Sequence, residues 1–132
     1  MAAADMILVD SDVLIAHLRG VDQARRWLLQ ARANGPLGVS AVTLAEVTGG
    51  MRSGEHPAVW ALFAAFKVMP VTEPIARRAG EFARQHRAAH RRIGLADYLI
   101  AATADHHSLS LATLNVRHFP MFEGLAPPFR LP

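Results

Sequence analysis

The sequence predicts an α/β fold, a central parallel β-sheet flanked by α-helices, and three observations lead there. Short, wholly apolar runs such as Met6-Ile7-Leu8-Val9 recur along the chain, the pattern of strands buried on both faces rather than one. Longer segments of helical period separate them, and strands alternating with helices imply a parallel sheet. Glycine and proline fall singly, with no repeat, low-complexity tract or linker, so residues 1–132 are expected to form a single domain.

The elements follow in order. Met6 to Val9 reads as a central strand ending in the carboxylate of Asp10, with a helix after it. Val21 to Ala33 carries Val21, Ala24, Trp27, Leu28 and Ala31 as a helical stripe with Arg25, Arg26 and Arg32 off it. Pro36 to Val39 is a second strand, and Ser40 an N-cap for a helix through Val47 that carries Glu46. Pro57 to Phe66 holds no charge, so a helix there is apolar on every side and is expected to be covered. Trp60, Phe63 and Phe66 would anchor such an interface, in a homodimer or against a partner. Lys67 to Val71 is a third strand candidate. Glu73 to about His90 is amphipathic, with Ile75, Ala79, Phe82 and His86 on one face and Arg77, Arg84 and Arg91 opposite. Leu95 to His107 is a further helix, and Leu109 to Thr113 a strand leading into Leu114-Asn115-Val116-Arg117-His118.

Composition narrows the chemistry. There is no cysteine, which removes disulfides, thiolate metal sites and cysteine nucleophiles and fits a reducing cytoplasm. No apolar run approaches the roughly 20 residues of a membrane span, and no basic region precedes the first apolar stretch, so a soluble, unexported protein is expected. Of the 14 basic residues only Lys67 is lysine. Arginine grips phosphate bidentately, which suits nucleic acid, although a genome-wide codon bias produces the same excess.

The acids carry the functional signal. Ligands of open parallel sheets bind beyond the carboxyl ends of the strands, where Asp10 and Asn115 both belong. Glu46 lies among Leu44, Ala45 and Val47, and Asp97 among Leu95, Ala96, Tyr98 and Leu99. Carboxylates in apolar settings are costly unless paired or coordinated, and two of them about 5 Å apart repel by roughly 3 kcal/mol at an effective dielectric of 20. A divalent cation turns that repulsion into binding. Oxygen ligands without cysteine favour Mg²⁺ or Mn²⁺, and such an ion beside a phosphodiester promotes its hydrolysis. Each acid has a plainer alternative as a turn, cap or surface residue.

Taken together, Ile7-Leu8-Val9-Asp10-Ser11-Asp12, Ser40-Ala41-Val42-Thr43-Leu44-Ala45-Glu46, and Gly94-Leu95-Ala96-Asp97-Tyr98-Leu99 resemble the three acidic motifs of the PIN-domain ribonucleases of VapC type. Thr113-Leu114-Asn115-Val116-Arg117-His118-Phe119 resembles that family's fourth. The resemblance runs over most of residues 6 to 122. It implies a single PIN-like domain with Mg²⁺- or Mn²⁺-dependent endoribonuclease activity on a structured RNA, a tRNA or rRNA, and neutralisation by a VapB-like antitoxin. Asp10, Glu46 and Asp97 inherit the metal-centre role, Ser11 and Thr113 support them by hydrogen bonds, and Asn115 stands where many members carry Asp. An amide there orients water or substrate but adds no charge, so one well-held ion is expected. Asp12 reads as the cap of the first helix or as a secondary metal contact. Arg77, Arg84, Arg91, Arg117 and His118 are candidate contacts for RNA or antitoxin, or simply solvated. Two other readings compete: a degenerate PIN-like module that binds without cutting, and a haloacid-dehalogenase-like phosphatase, because Asp10-Ser11-Asp12 resembles that family's nucleophile and acid.

Overall fold

The structure is a computed structural model that describes residues 6–132. Its sheet is built from β1 (Ile7–Val9), β2 (Leu37–Ser40), β3 (Lys67–Met69) and β4 (Ser110–Ala112), ordered β3-β2-β1-β4 with every pair parallel. Parallel neighbours need long crossovers, and helices supply them: α1 (Ser11–Leu18) and α2 (Asp22–Asn34), then α3 (Ala41–Gly50) and α4 (His56–Phe63), then α5 (Glu73–His86) and α6 (Leu95–His106). A short 3₁₀ turn, Val116–His118, follows β4. The α/β class read from the sequence is the one observed.

Alternation along the strands divides the core in two. Met6, Leu8, Met69 and Leu111 face α5 and α6, packing with Ile75, Ala79, Phe82, Tyr98 and Ile100. Val9, Leu37 and Val39 face the other way, against Val13 and Leu14 of α1, Leu28 of α2, Val47 of α3 and Val59 of α4. Leu8 and Val9 are wholly buried on opposite faces of one strand, each worth about 2 kcal/mol in apolar burial. At Gly38 the first of these layers closes tightly: a Cβ there would stand 3.0 Å from Met6 Sδ.

Four expectations are corrected. The third strand stops at Met69 rather than Val71; it is an edge strand with Lys67 and Val68 exposed, and Pro70 has no N–H to continue a ladder. Asp10, not Asp12, caps α1, accepting a hydrogen bond from Ser11 N. Helix α5 ends at His86 and not near His90, so Arg91 leaves the arginine stripe for the α5–α6 connection; that turn buries Ile93. The apolar α4 is only partly covered by the described residues: Val59 is its one buried residue, Leu62 and Phe63 are half-buried against the core, and Trp60 is 53% exposed. The surface around Trp60 has no partner among the described residues.

Candidate active site

The order β3-β2-β1-β4 reverses direction between β1 and β4, the point where open sheets of this kind form a crevice beyond the strand ends. Asp10 emerges from β1 at that point, its N–H still donating to Ala112 O of β4 at 2.9 Å. Its side chain turns inward and is 4% exposed. Oδ1 accepts from Ser11 N at 2.8 Å and Oδ2 from Thr113 Oγ1 at 2.7 Å. Burial, followed by the charge of Asp12, nevertheless outweighs these bonds and pushes the Asp10 carboxyl up to about 7, with Asp97 adding in the same direction.

Asp12 sits in the first turn of α1 and reaches across the crevice, where Oδ2 accepts from Leu114 N at 3.0 Å. Thr113 Oγ1 lies 3.3 Å from that same oxygen, but its single hydrogen serves the shorter contact to Asp10. The hydroxyl in turn accepts from Asn115 N at 3.1 Å, so Thr113, itself fully buried, ties Asp10 to the chain after β4, while Leu114 N holds Asp12 there. Glu46 comes from the second turn of α3, which packs on both α1 and α6. Burial raises its carboxyl above the ordinary range; a Ser11 hydrogen bond opposes the rise, and the charges of Asp97 and Asp12 reinforce it. Asp97, third residue of α6, accepts from Gly94 N at 3.3 Å, and its Oδ2 lies 2.9 Å from His118 Nδ1.

Four acids from three helices and one strand end thus feel one another's charge across one crevice. Two of their oxygens, Asp12 Oδ1 and Glu46 Oε1, are buried without a hydrogen-bond partner in the protein. A carboxylate is an acceptor, and an orphaned one lacks a cation or donor. Among the described residues no three His, Cys, Asp or Glu side chains form a ready cage for a metal. The donors that do converge are carboxylate oxygens, which suit a hydrated hard cation that keeps several waters and takes one or two carboxylates, rather than zinc with its His or Cys ligands.

Beside the acids lies a basic cavity of about 540 Å³, lined by the α5–α6 connection, with His90, Arg91 and Arg92, and by Asn115, Arg117 and His118. Of the sequence-derived contact candidates, Arg91, Arg117 and His118 meet here. Arg77 and Arg84 do not: they stay on the outer face of α5, Arg77 bonded to Glu73 at 2.8 Å. The cross-crevice reach of Asp12 and the contact of His118 with Asp97 were not legible as such, since both join segments more than twenty residues apart.

Comparison with known proteins agrees with this geometry. The family model for the PIN domain matches residues 7–122. The chain is 65% identical over 127 residues to Ribonuclease VapC10 of Mycobacterium tuberculosis, covering 96% of each chain. It is 43% identical over 125 residues to Ribonuclease VapC19 of the same organism, covering 94% of this chain and all of that one. Among solved structures, a toxin–antitoxin complex from Klebsiella pneumoniae superposes with a TM-score of 0.79 at 25% identity, over 95% of this chain and 99% of that chain. With the acidic motifs in order on a four-stranded parallel sheet, and with these relatives matched end to end, the chain belongs to the PIN-domain family, among its VapC-type ribonucleases.

Proposed function

We propose that this chain is a metal-dependent endoribonuclease toxin that hydrolyses phosphodiester bonds in structured RNA, a tRNA or rRNA, and that a VapB-like antitoxin holds it inactive. The observation that carries the reading is the convergence of Asp10, Asp12, Glu46 and Asp97, three of them with carboxyls that burial pushes above the ordinary range and two with buried oxygens that lack a partner. Asp10, Glu46 and Asp97 would hold a Mg²⁺ or Mn²⁺ ion, with Asp12 adjoining. When bound, such an ion eases deprotonation of water and neutralises charge developing on phosphate oxygens.

The chain's own residues supply the rest. Ser11 and Thr113 fix the orientation of Asp10 from both sides. His118 holds Asp97, and the Asn115 amide is available to orient water or the substrate. Glu46, with Oε1 free of donors, is the acid suited to take a proton from the attacking water. The phosphatase alternative requires Asp10 to attack phosphorus, yet both its oxygens are engaged and it is 4% exposed. A non-cutting module rests on Asn115 alone, while the three other acidic positions keep their charge.

The exposed Trp60 of α4, with half-buried Phe63 beside it, supports a homodimer or antitoxin contact. Absence of cysteine from the sequence supports a cytoplasmic location, and no helix among the described residues is long and apolar enough to cross a membrane. The test is to incubate purified, antitoxin-free protein with total cellular RNA and Mg²⁺ or Mn²⁺, beside Asp97→Asn, and to map the ends. Few cleavage sites, lost in the variant and with chelator, are expected. Folded protein that cuts nothing with either ion would refute the proposal.

A further inference from the structure

We infer that the basic cavity beside the acidic crevice is a phosphate-binding subsite that grips the RNA strand next to the bond being cut, with Arg91, Arg92 and Arg117 as its grips. The inference rests on the ribonuclease reading and adds the residues that seat the strand. Five arginines elsewhere on the chain are committed, Arg19 to Glu55, Arg25 and Arg26 to Asp22, Arg77 to Glu73, and Arg78 to Glu81 and Asp105; Arg32, Arg52, Arg84, Arg87 and Arg130 are not, but none of them lines this cavity. Among the described residues, Arg91, Arg92 and Arg117 have no carboxylate partner, and all three are exposed around one concavity of about 540 Å³ that no acid lines. Three unneutralised guanidiniums held together repel one another, and an anion relieves that repulsion. The volume lies in the range of small-ligand sites and suits a nucleotide unit with its phosphate.

Position selects RNA over an acidic peptide. His118 lines the cavity and also lies 2.9 Å from Asp97, so the basic and acidic sites share a wall. A strand crossing that wall places one phosphate among the arginines while its neighbour reaches the cation-neutralised acids. His90 and the arginine planes add surfaces on which an unstacked base of a loop can lie.

The test uses the whole protein in chelator, so that nothing is cut, and a short fluorescein-labelled single-stranded RNA. Binding is titrated across salt concentration for the wild type, for the triple variant Arg91→Gln, Arg92→Gln, Arg117→Gln, and for Arg32→Gln, a control on a different groove. Each lost phosphate contact lowers the slope of log affinity against log salt by about 0.7, so the triple variant should lose about 2 from its slope. Its deficit then shrinks about 20-fold between about 50 and 200 mM salt, with unchanged circular dichroism and melting, while Arg32→Gln follows the wild type. Wild-type binding with an unaltered slope in the triple variant overturns the subsite and leaves the ribonuclease reading standing. Wild-type protein that neither binds nor cuts RNA sinks that reading instead. A mononucleotide that binds the cavity as tightly as the strand, or a polyglutamate peptide that binds tighter than RNA and is the one ligand the variant loses, also overturns it.

Discussion

Replacing Asp10 with asparagine separates what the centre does for function from what it costs the fold. The Asp10 carboxyl ionises at about 7 in the folded protein against its ordinary 3.8, so the folded state keeps the proton longer than the unfolded one as pH rises. Stability from this group is therefore full below about pH 4, declines between about 4 and 7, and is lowest above 7. At about 1.4 kcal/mol per pH unit the loss is on the order of 4 kcal/mol. Asparagine keeps the shape and an acceptor for Ser11 N but cannot ionise. In chelator at pH 8, Asp10→Asn should melt above the wild type by roughly 12 to 16 °C, from about 3 to 4 °C per kcal/mol for a chain of this size. At pH 4 the two should coincide. Added Mg²⁺ or Mn²⁺ should stabilise the wild type and close the gap, while RNA cleavage is lost in the variant. A variant that melts below the wild type at pH 8 in chelator, or by a constant margin from pH 4 to 8, would refute the argument.

Three further perturbations follow from named contacts. His118→Gln removes the group 2.9 Å from Asp97 Oδ2, and the metal concentration for half-maximal cleavage should rise about 10- to 100-fold with the melting temperature nearly unchanged; a lower turnover at unaltered metal requirement would point elsewhere. Thr113→Val strips the hydroxyl that donates to Asp10 and accepts from Asn115 N, which should cost about 1 to 3 kcal/mol in urea unfolding at pH 7; a neutral substitution would mean the hydroxyl is dispensable. Trp60→Arg acts on a side chain 53% exposed, so it should alter monomer stability by less than about 1 kcal/mol while converting any dimer seen by light scattering to monomer.

Local pattern was enough to read the fold class and the origin of the main acids, because a carboxylate after an apolar strand or inside an apolar helix is an anomaly visible within a few residues. Asp10, Glu46 and Asp97 stood out on that ground. The end of α5 did not, since Ala88 and Ala89 continue a helical sequence without a glycine or proline stop. What turns the chain after His86 is the burial of Ile93, a tertiary cause. Ending the helix there took Arg91 off the expected stripe and into the basic cavity, while Arg77 and Arg84 stayed on α5. The segment around Trp60 showed the limit from the other side: its apolarity was plain, but whether the same chain covers it depends on packing that periodicity does not encode.

Thr113 meets Asp10 across 103 residues of chain, and the strand that carries it there is the last of the sheet and pairs with the first. During synthesis the orienting hydroxyl follows the first acid by 103 residues, and Arg117 of the basic rim comes later still. Long-range pairing of this kind also forms late in folding. A ribosome that has made Asp10 is thus in the company of an unassembled enzyme until those residues emerge, and a fragment released before them carries the acids without the geometry that arms them.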